Sequence, residues 1–266
     1  MEIVIQPDYD RLCDEAAAMV FEALARKPDL VLGLATGRTP LGLYERLARR
    51  PDAFARAAFF NLDEFYGLPP AHPASFHAYL RRHLIDRVKH DPARVHLLRG
   101  DVADLDRAAQ EYEDRIRAAG GIDLQILGIG RNGHIGFNEP GSSLGSRTRA
   151  KTLEPETVAE YAKSGQELPR FAITLGVGTI MEARRLLLLA SGESKAEIIQ
   201  RMVEGPVTAE VPASAIQFHP RAVVVLDEPA ASRLKRREYY KWVYANKYRV
   251  GQTPPGAAPT PPPPRG

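Results

Sequence analysis

Cysteine is almost absent. The single Cys13 among 266 residues leaves no internal disulfide to staple the fold. Apolar runs long enough to span a bilayer are missing, as is a secretory leader, and this excludes a membrane-embedded or exported chain from the expectation. Neither sign of charge dominates: 36 lysines and arginines against 33 aspartates and glutamates give a net charge of +3, too small to imply nucleic acid. The basic cluster Leu234 to Glu238 is short, ends on an acid, and reads as a solvated helix face. His72, His77 and His83 lack the spacing of a helical metal pair and have no thiolate companions, so no metal site is expected. A soluble cytoplasmic protein is the resulting expectation, with 44% hydrophobic residues to build a sizeable core.

What is present is an alternation of two periods. Apolar runs of strand character stand at residues 2–6, 30–36, 57–62, 94–98, 122–130, 171–178, 185–192 and 221–227, most of them too continuous to be half-exposed. Between them lie helical patterns. Cys13, Ala17, Val20, Phe21 and Leu24 recur at three-and-four spacing, and further helices are predicted at 43–50, 76–88, 102–119, 195–203 and 230–247. Buried strands alternating with amphipathic helices predict an α/β fold with a mostly parallel sheet covered on both faces. Residues 1–250 show no internal repeat and no composition break, and are expected to form a single domain. Residues 251–266, GQTPPGAAPTPPPPRG, cannot make a core and read as a disordered proline-rich tail.

In such sheets function gathers where strands end, and three junctions stand out. At Leu30 to Leu47 a buried strand runs through Thr36, Gly37, Arg38 and Thr39 into a helix starting near Pro40. Bare amides, hydroxyls and a helix start together suit an anion, although both the Walker ending and the three-glycine dinucleotide fingerprint are absent. At Phe59 to Leu84 two adjacent acids, Asp63 and Glu64, follow an apolar strand. Successive strand residues point opposite ways, so only one of them should face a cleft, where it could serve as a general base. The third junction, LGIGRNGHIGFNEP from Leu127 to Pro140, keeps the backbone bare with glycines and presents Asn132, His134 and Glu139. A histidine there can exchange a proton near neutrality, with its ring oriented by the other two.

Five segments in order, LGLATGRTPLGLY (32–44), FNLDEFYGL (60–68), LGIGRNGHIGFNEPGSSLGSRTRAKTL (127–153), AITLGVGTIMEA (172–183) and PASAIQFHPRAVVVLDEPAA (212–231), make the chain resemble the glucosamine-6-phosphate deaminases over residues 2–245. The resemblance implies a three-layer α/β/α domain with a mostly parallel, Rossmann-like sheet. It also implies conversion of glucosamine 6-phosphate and water to fructose 6-phosphate and ammonia with no metal or organic cofactor. His134, assisted by Glu139 and Asn132, would open the sugar ring. Asp63 would carry a proton from C2 to C1, leaving Glu64 structural. Thr36, Gly37, Arg38 and Thr39 match the phosphate loop, and Lys195 matches a lysine contact.

The chain departs from the pattern in places. Asn132 stands where some members carry Asp, and an amide cannot act as a carboxylate toward histidine. Arg38 replaces a small residue. Residues 154–171 correspond to a mobile lid but look shortened, with Lys163 or Arg170 in place of a phosphate-binding arginine. Ser142, Arg149, Lys151 and Thr152 match the allosteric phosphate site of the hexameric branch, which implies an N-acetylated sugar phosphate bound between subunits of a homo-oligomer. Two other readings compete: a 6-phosphogluconolactonase, whose reaction needs no C2 proton abstraction, and a non-catalytic sugar-phosphate-sensing domain. The sensing domains of regulators normally follow a helix-turn-helix, for which a first strand at Glu2 leaves no room.

Overall fold

The computed structural model describes residues 1–162 and 167–247. In chain order the elements are β1 (Glu2–Gln6), α1 (Tyr9–Arg26), β2 (Val31–Leu34), α2 (Pro40–Leu47), β3 (Ala58–Asn61), β4 (Asp63–Phe65), α3 (Phe76–His83), β5 (Val95–His96) and α4 (Leu105–Ala118). They continue with β6 (Leu124–Leu127), β7 (Arg149–Thr152), α5 (Pro155–Tyr161), β8 (Phe171–Thr174), α6 (Val177–Met181), β9 (Leu186–Ala190), α7 (Ala196–Glu204), β10 (Ala222–Asp227) and α8 (Arg237–Ala245). The predicted proline-rich tail and Lys163 lie outside the described residues.

Seven strands form one parallel sheet in the order β1-β10-β9-β6-β2-β3-β5, flanked by helices in a three-layer α/β/α arrangement. Every residue of β2, β3, β6, β9 and β10 is buried. That is why their sequences read as unbroken apolar runs without alternation. Helix α1 begins where the Asp8 side chain accepts from the Arg11 N–H at 2.8 Å, and it buries Leu12, Cys13, Ala16, Ala17, Val20, Ala23 and Leu24 against the sheet. Two predicted helices are shorter than their pattern. The 76–88 pattern ends as α-helix at His83, where Leu84 leaves helical geometry, and 230–236 precedes α8 as turns.

One predicted strand belongs elsewhere. The run at 171–178 enters a second, three-stranded antiparallel sheet, β4-β8-β7, together with the two strands that the apolar pattern missed. Strand β7 reads RAKT and is only partly covered, so no apolar run marked it. The chain changes sheets at Leu62, whose N–H donates to Leu34 O at 3.2 Å and whose carbonyl accepts from Leu175 N at 2.8 Å. A smaller apolar cluster around Phe65, Phe76 and Phe137 fills the space beside this sheet.

In the large sheet the chain runs outward from β2 through β3 to β5, then returns to β6 and continues the other way through β9. The reversal lies between β2 and β6, and the crevice beyond their C-terminal ends is where α/β sheets place ligands.

Candidate active site

A cavity of about 1160 Å³ opens at that crevice. Three of the junctions picked out in the sequence meet there, together with the turn that follows β9. Asp63, His134, Thr36, Gly37, Arg38, Thr39 and Lys195 all line it.

The turn after β2 forms one wall. None of the amide N–H groups of Thr36, Gly37, Arg38 and Thr39 has an acceptor among the described residues, whereas the carbonyls of Gly37, Arg38 and Thr39 are engaged. The Tyr79 hydroxyl donates to Gly37 O at 2.5 Å, and the Tyr9 hydroxyl bonds Thr39 O at 2.9 Å while accepting from Gly42 N at 2.8 Å. Two tyrosines thus fix the acceptors and leave four consecutive donors for an anion. The helix α2 begins at Pro40, as predicted. Lys195 lines the same cavity from the turn after β9. That turn is held by Asp227, buried at the end of β10, which accepts from the Ser191 hydroxyl at 2.5 Å and the Gly192 N–H at 3.0 Å.

Asp63 and Glu64 divide as strand alternation requires. Glu64 turns away from the cavity, fully buried, and accepts from the N–H groups of Phe65 (2.9 Å), Phe76 (3.0 Å) and His77 (2.8 Å), so it caps α3. Burial outweighs those donors and carries its pKa to about 7. Asp63 is buried with no hydrogen bond to its carboxyl among the described residues. Burial pushes its pKa well above the ordinary carboxylate range, and the charge of Glu64 adds to this.

The backbone at Asp63 is fixed by Asn61, to which the sequence reading gave no role. Its amide donates to Asp63 O at 2.8 Å, its Oδ1 accepts from Leu98 N at 2.8 Å, and its backbone N–H donates to the Tyr112 hydroxyl. Thr174, also unread, pairs with Asp63 across the small sheet, and its hydroxyl accepts from Phe137 N at 3.0 Å. Gly136, at φ +55°, threads between them. A Cβ there would come within 3.0 Å of Thr174 Oγ1 and 3.4 Å of Asp63 Oδ2, so both the backbone angle and the spacing call for glycine.

The glycine-rich loop after β6 carries the third group. The His134 ring lies so close over Gly130 that a Cβ would sit 2.2 Å from its Cε1. His134 Nδ1 is 2.8 Å from Asn132 Oδ1 and 3.5 Å from Glu139 Oε2. The Asn132 amide nitrogen donates to Glu139 Oε2 at 2.8 Å, and this settles which end of the amide is which: its oxygen faces the ring. Nδ1 therefore carries a hydrogen, and in the neutral ring the lone pair lies on Nε2. Burial alone would raise Glu139, but hydrogen bonds from His134, Asn132 and Thr157 outweigh it and hold the pKa at about 2. Asn132 and Glu139 stand behind His134 and do not line the cavity.

The remaining predicted residues are placed differently. Arg149 and Lys151 share one face of β7, away from the cavity, and alternation puts Thr152 on the other face. The Arg149 guanidinium donates to Asn138 Oδ1 at 2.8 Å, and burial lowers its pKa. Ser142 is buried, and its hydroxyl has no partner among the described residues. Arg170 is exposed and does not line the cavity. Among the described residues no group of three or more His, Cys, Asp or Glu side chains converges as a metal site would require. No helix among them is long and apolar enough to cross a membrane.

Known proteins share this fold and much of this sequence. Residues 8–225 match the family model described as glucosamine-6-phosphate isomerases/6-phosphogluconolactonase. The glucosamine-6-phosphate deaminase of Hahella chejuensis is 46% identical over 257 residues, covering 94% of this chain and 98% of the relative. Glucosamine-6-phosphate deaminase 2 of Bacillus subtilis is 48% identical over 248 residues, covering 90% and 100%. Among solved structures, a monomeric glucosamine-6-phosphate deaminase superposes with a TM-score of 0.84 at 38% identity, covering 88% of this chain and all of that one. The 6-phosphogluconolactonase of Trypanosoma cruzi reaches a TM-score of 0.73 at 20% identity, covering 88% and 96%, and shares the fold alone. The chain belongs to the glucosamine-6-phosphate isomerase/6-phosphogluconolactonase family.

Proposed function

We propose that this cavity converts glucosamine 6-phosphate and water into fructose 6-phosphate and ammonia. The free amides of residues 36–39, with Lys195 and Arg38, take the phosphate and so orient the far end of the sugar. His134, through Nε2, moves a proton between the anomeric hydroxyl and the ring oxygen. Glu139 stabilises the charge that the ring acquires, and Asn132 holds its tautomer. Asp63 removes the proton on C2 of the open chain, giving an enolamine, and returns it at C1. The resulting imine at C2 adds water and loses ammonia. A carboxyl without bonded donors and with a raised pKa suits this transfer, because nothing competes with the carbon-bound proton for its oxygens.

The observation that carries the reading is the convergence of Asp63, His134 and four unpaired amides on one cavity. Purified protein mixed with glucosamine 6-phosphate should release ammonia and fructose 6-phosphate together. No release, with turnover of 6-phosphogluconolactone instead, overturns the proposal in favour of the lactonase branch.

We assign the regulatory part of the reading to the Arg149–Lys151 face with Ser142. It calls for an oligomer in light scattering and for kinetics sensitive to N-acetylglucosamine 6-phosphate. A monomer with hyperbolic, unresponsive kinetics removes that part and leaves the catalytic reading intact.

A further inference from the structure

Behind His134 stands a second carboxylate with no part in the chemistry above. Glu154, partly exposed, immediately precedes α5, and its Oε2 accepts from Asn132 Nδ2 at 2.9 Å. The same nitrogen donates to Glu139 Oε2 at 2.8 Å, so both hydrogens of one amide end on carboxylates. The amide oxygen meets His134 Nδ1 at 2.8 Å and the His134 backbone N–H at 3.2 Å.

An amide turned over by half a revolution keeps its shape but exchanges donor for acceptor. Turned here, Asn132 would offer hydrogen to Nδ1 and drive the ring hydrogen onto Nε2, the nitrogen that must receive a proton. Glu139 and the His134 N–H already favour the observed orientation, but they leave one amide hydrogen without an anchor. With Glu154 as well, turning over aims a carbonyl oxygen at a pair of anions, a far less favourable arrangement.

We propose that Glu154 is a positioning residue that locks the Asn132 amide, and through it the His134 tautomer, from the base of α5. The inference rests on the role given to His134 under Proposed function. The surrounding contacts join the lock to the same segment: the Glu154 N–H donates to Glu139 Oε1 at 3.3 Å, Thr157 bonds Glu139, and Tyr161 packs on Phe65, Phe76 and Phe137. The lock also gives a reason for an amide at position 132. A carboxylate there would meet Glu139 and Glu154 with no hydrogen to share, three anions at hydrogen-bonding distance. Asn132 and Glu154 are thus a matched pair.

The tautomer is read without substrate by nitrogen-15 NMR of the histidine-labelled full chain, the His134 signals being identified by their loss in His134→Asn. The Nδ1–H form should dominate in the wild type and in Glu154→Gln, which keeps an acceptor, and should give way to a mixture in Glu154→Ala. In turnover, Glu154→Ala should lose about tenfold in kcat with KM changed less than about twofold, and Glu154→Gln should recover most of that loss. Asn132→Asp should fall on the order of 10²-fold, and adding Glu154→Gln to it should regain about tenfold.

An unchanged tautomer in Glu154→Ala overturns the proposal. So does a rise in KM with kcat intact, which would mean that Glu154 only docks α5, or strict additivity in the double variant. Should the wild type release no ammonia, the proposed function fails, yet the NMR measurement still judges the lock.

Discussion

Asp63 and Glu139 are both almost wholly buried in one site, yet their surroundings drive them in opposite directions. Glu139 is met by donors from His134, Asn132 and Thr157 and stays ionised down to about pH 2. Asp63 meets none, sits beside a second acid, and is pushed upward. Low solvent exposure alone is therefore a poor guide to the state of a carboxyl; depth beneath the surface and the hydrogens aimed at it decide together. The division suits two tasks. A fixed anion stabilises the charge that appears on an imidazole, whereas a carboxyl that is poorly satisfied in both states can gain and lose a proton at little cost.

The sharpest way to break this contrast is Asp63→Asn. Turnover should fall by about 10² to 10⁴ with KM within a few-fold, as expected when a general base is lost and binding is retained. The same variant should melt higher than the wild type at pH 8. A folded pKa above the unfolded one contributes stability only at low pH and loses it as pH rises, so the gap should close below about pH 4. Wild-type turnover in this variant would refute the assignment of the base.

Glu139→Gln tests the other side. Its loss of kcat should be smaller, roughly 10²-fold, because the ring keeps its bond to Asn132. Here the folded pKa is depressed, so the carboxylate stabilises the fold above the unfolded value near 4.5, and this is lost as pH falls toward 2. The variant should accordingly show a shallower loss of melting temperature between about pH 5 and pH 2.

Lys195→Ala should act on binding, raising KM for the sugar phosphate about tenfold with less effect on kcat, as measured by initial rates. Least affected in rate should be Glu64→Gln, within about threefold in kcat, since Glu64 faces away from the cavity. Its pKa of about 7 lies above the unfolded value, so wild-type stability falls as pH rises from 4.5 to 7 and that slope should flatten in the variant.

Much of this was legible in the sequence because it depends on local spacing. Unbroken apolar runs marked the doubly covered strands, and the step from Asp63 to Glu64 left room for only one acid in the cavity. The glycines around His134 were read as room for a ligand against the backbone, whereas at Gly130 that room is filled by the His134 ring itself. What escaped was held by partners distant in the chain. Asn61 acquires its role from Leu98 and Tyr112, and Glu154 acquires its role from Asn132, 22 residues earlier. Asp227 could have been noticed, since it ends a buried strand as Asp63 follows one. The run at 171–178 misled for a physical reason: β8 is central in its small sheet and almost as buried as a strand of the large one, so hydrophobicity alone could not tell the two apart.

The edge of the large sheet carries a consequence for synthesis. Among the described residues Glu2–Gln6 pair with one strand alone, Ala222–Asp227, and Lys247 reaches back to pair with Glu2 at 2.7 Å. β1 must therefore wait for a strand made far later in the chain before it has a strand to pair with, and closing so long a loop is slow. β2, β3 and β6 emerge earlier and need no such delay, so a nascent chain can begin its pocket while β1 is still unattached, but the Lys195 side waits for Asp227 as β1 does.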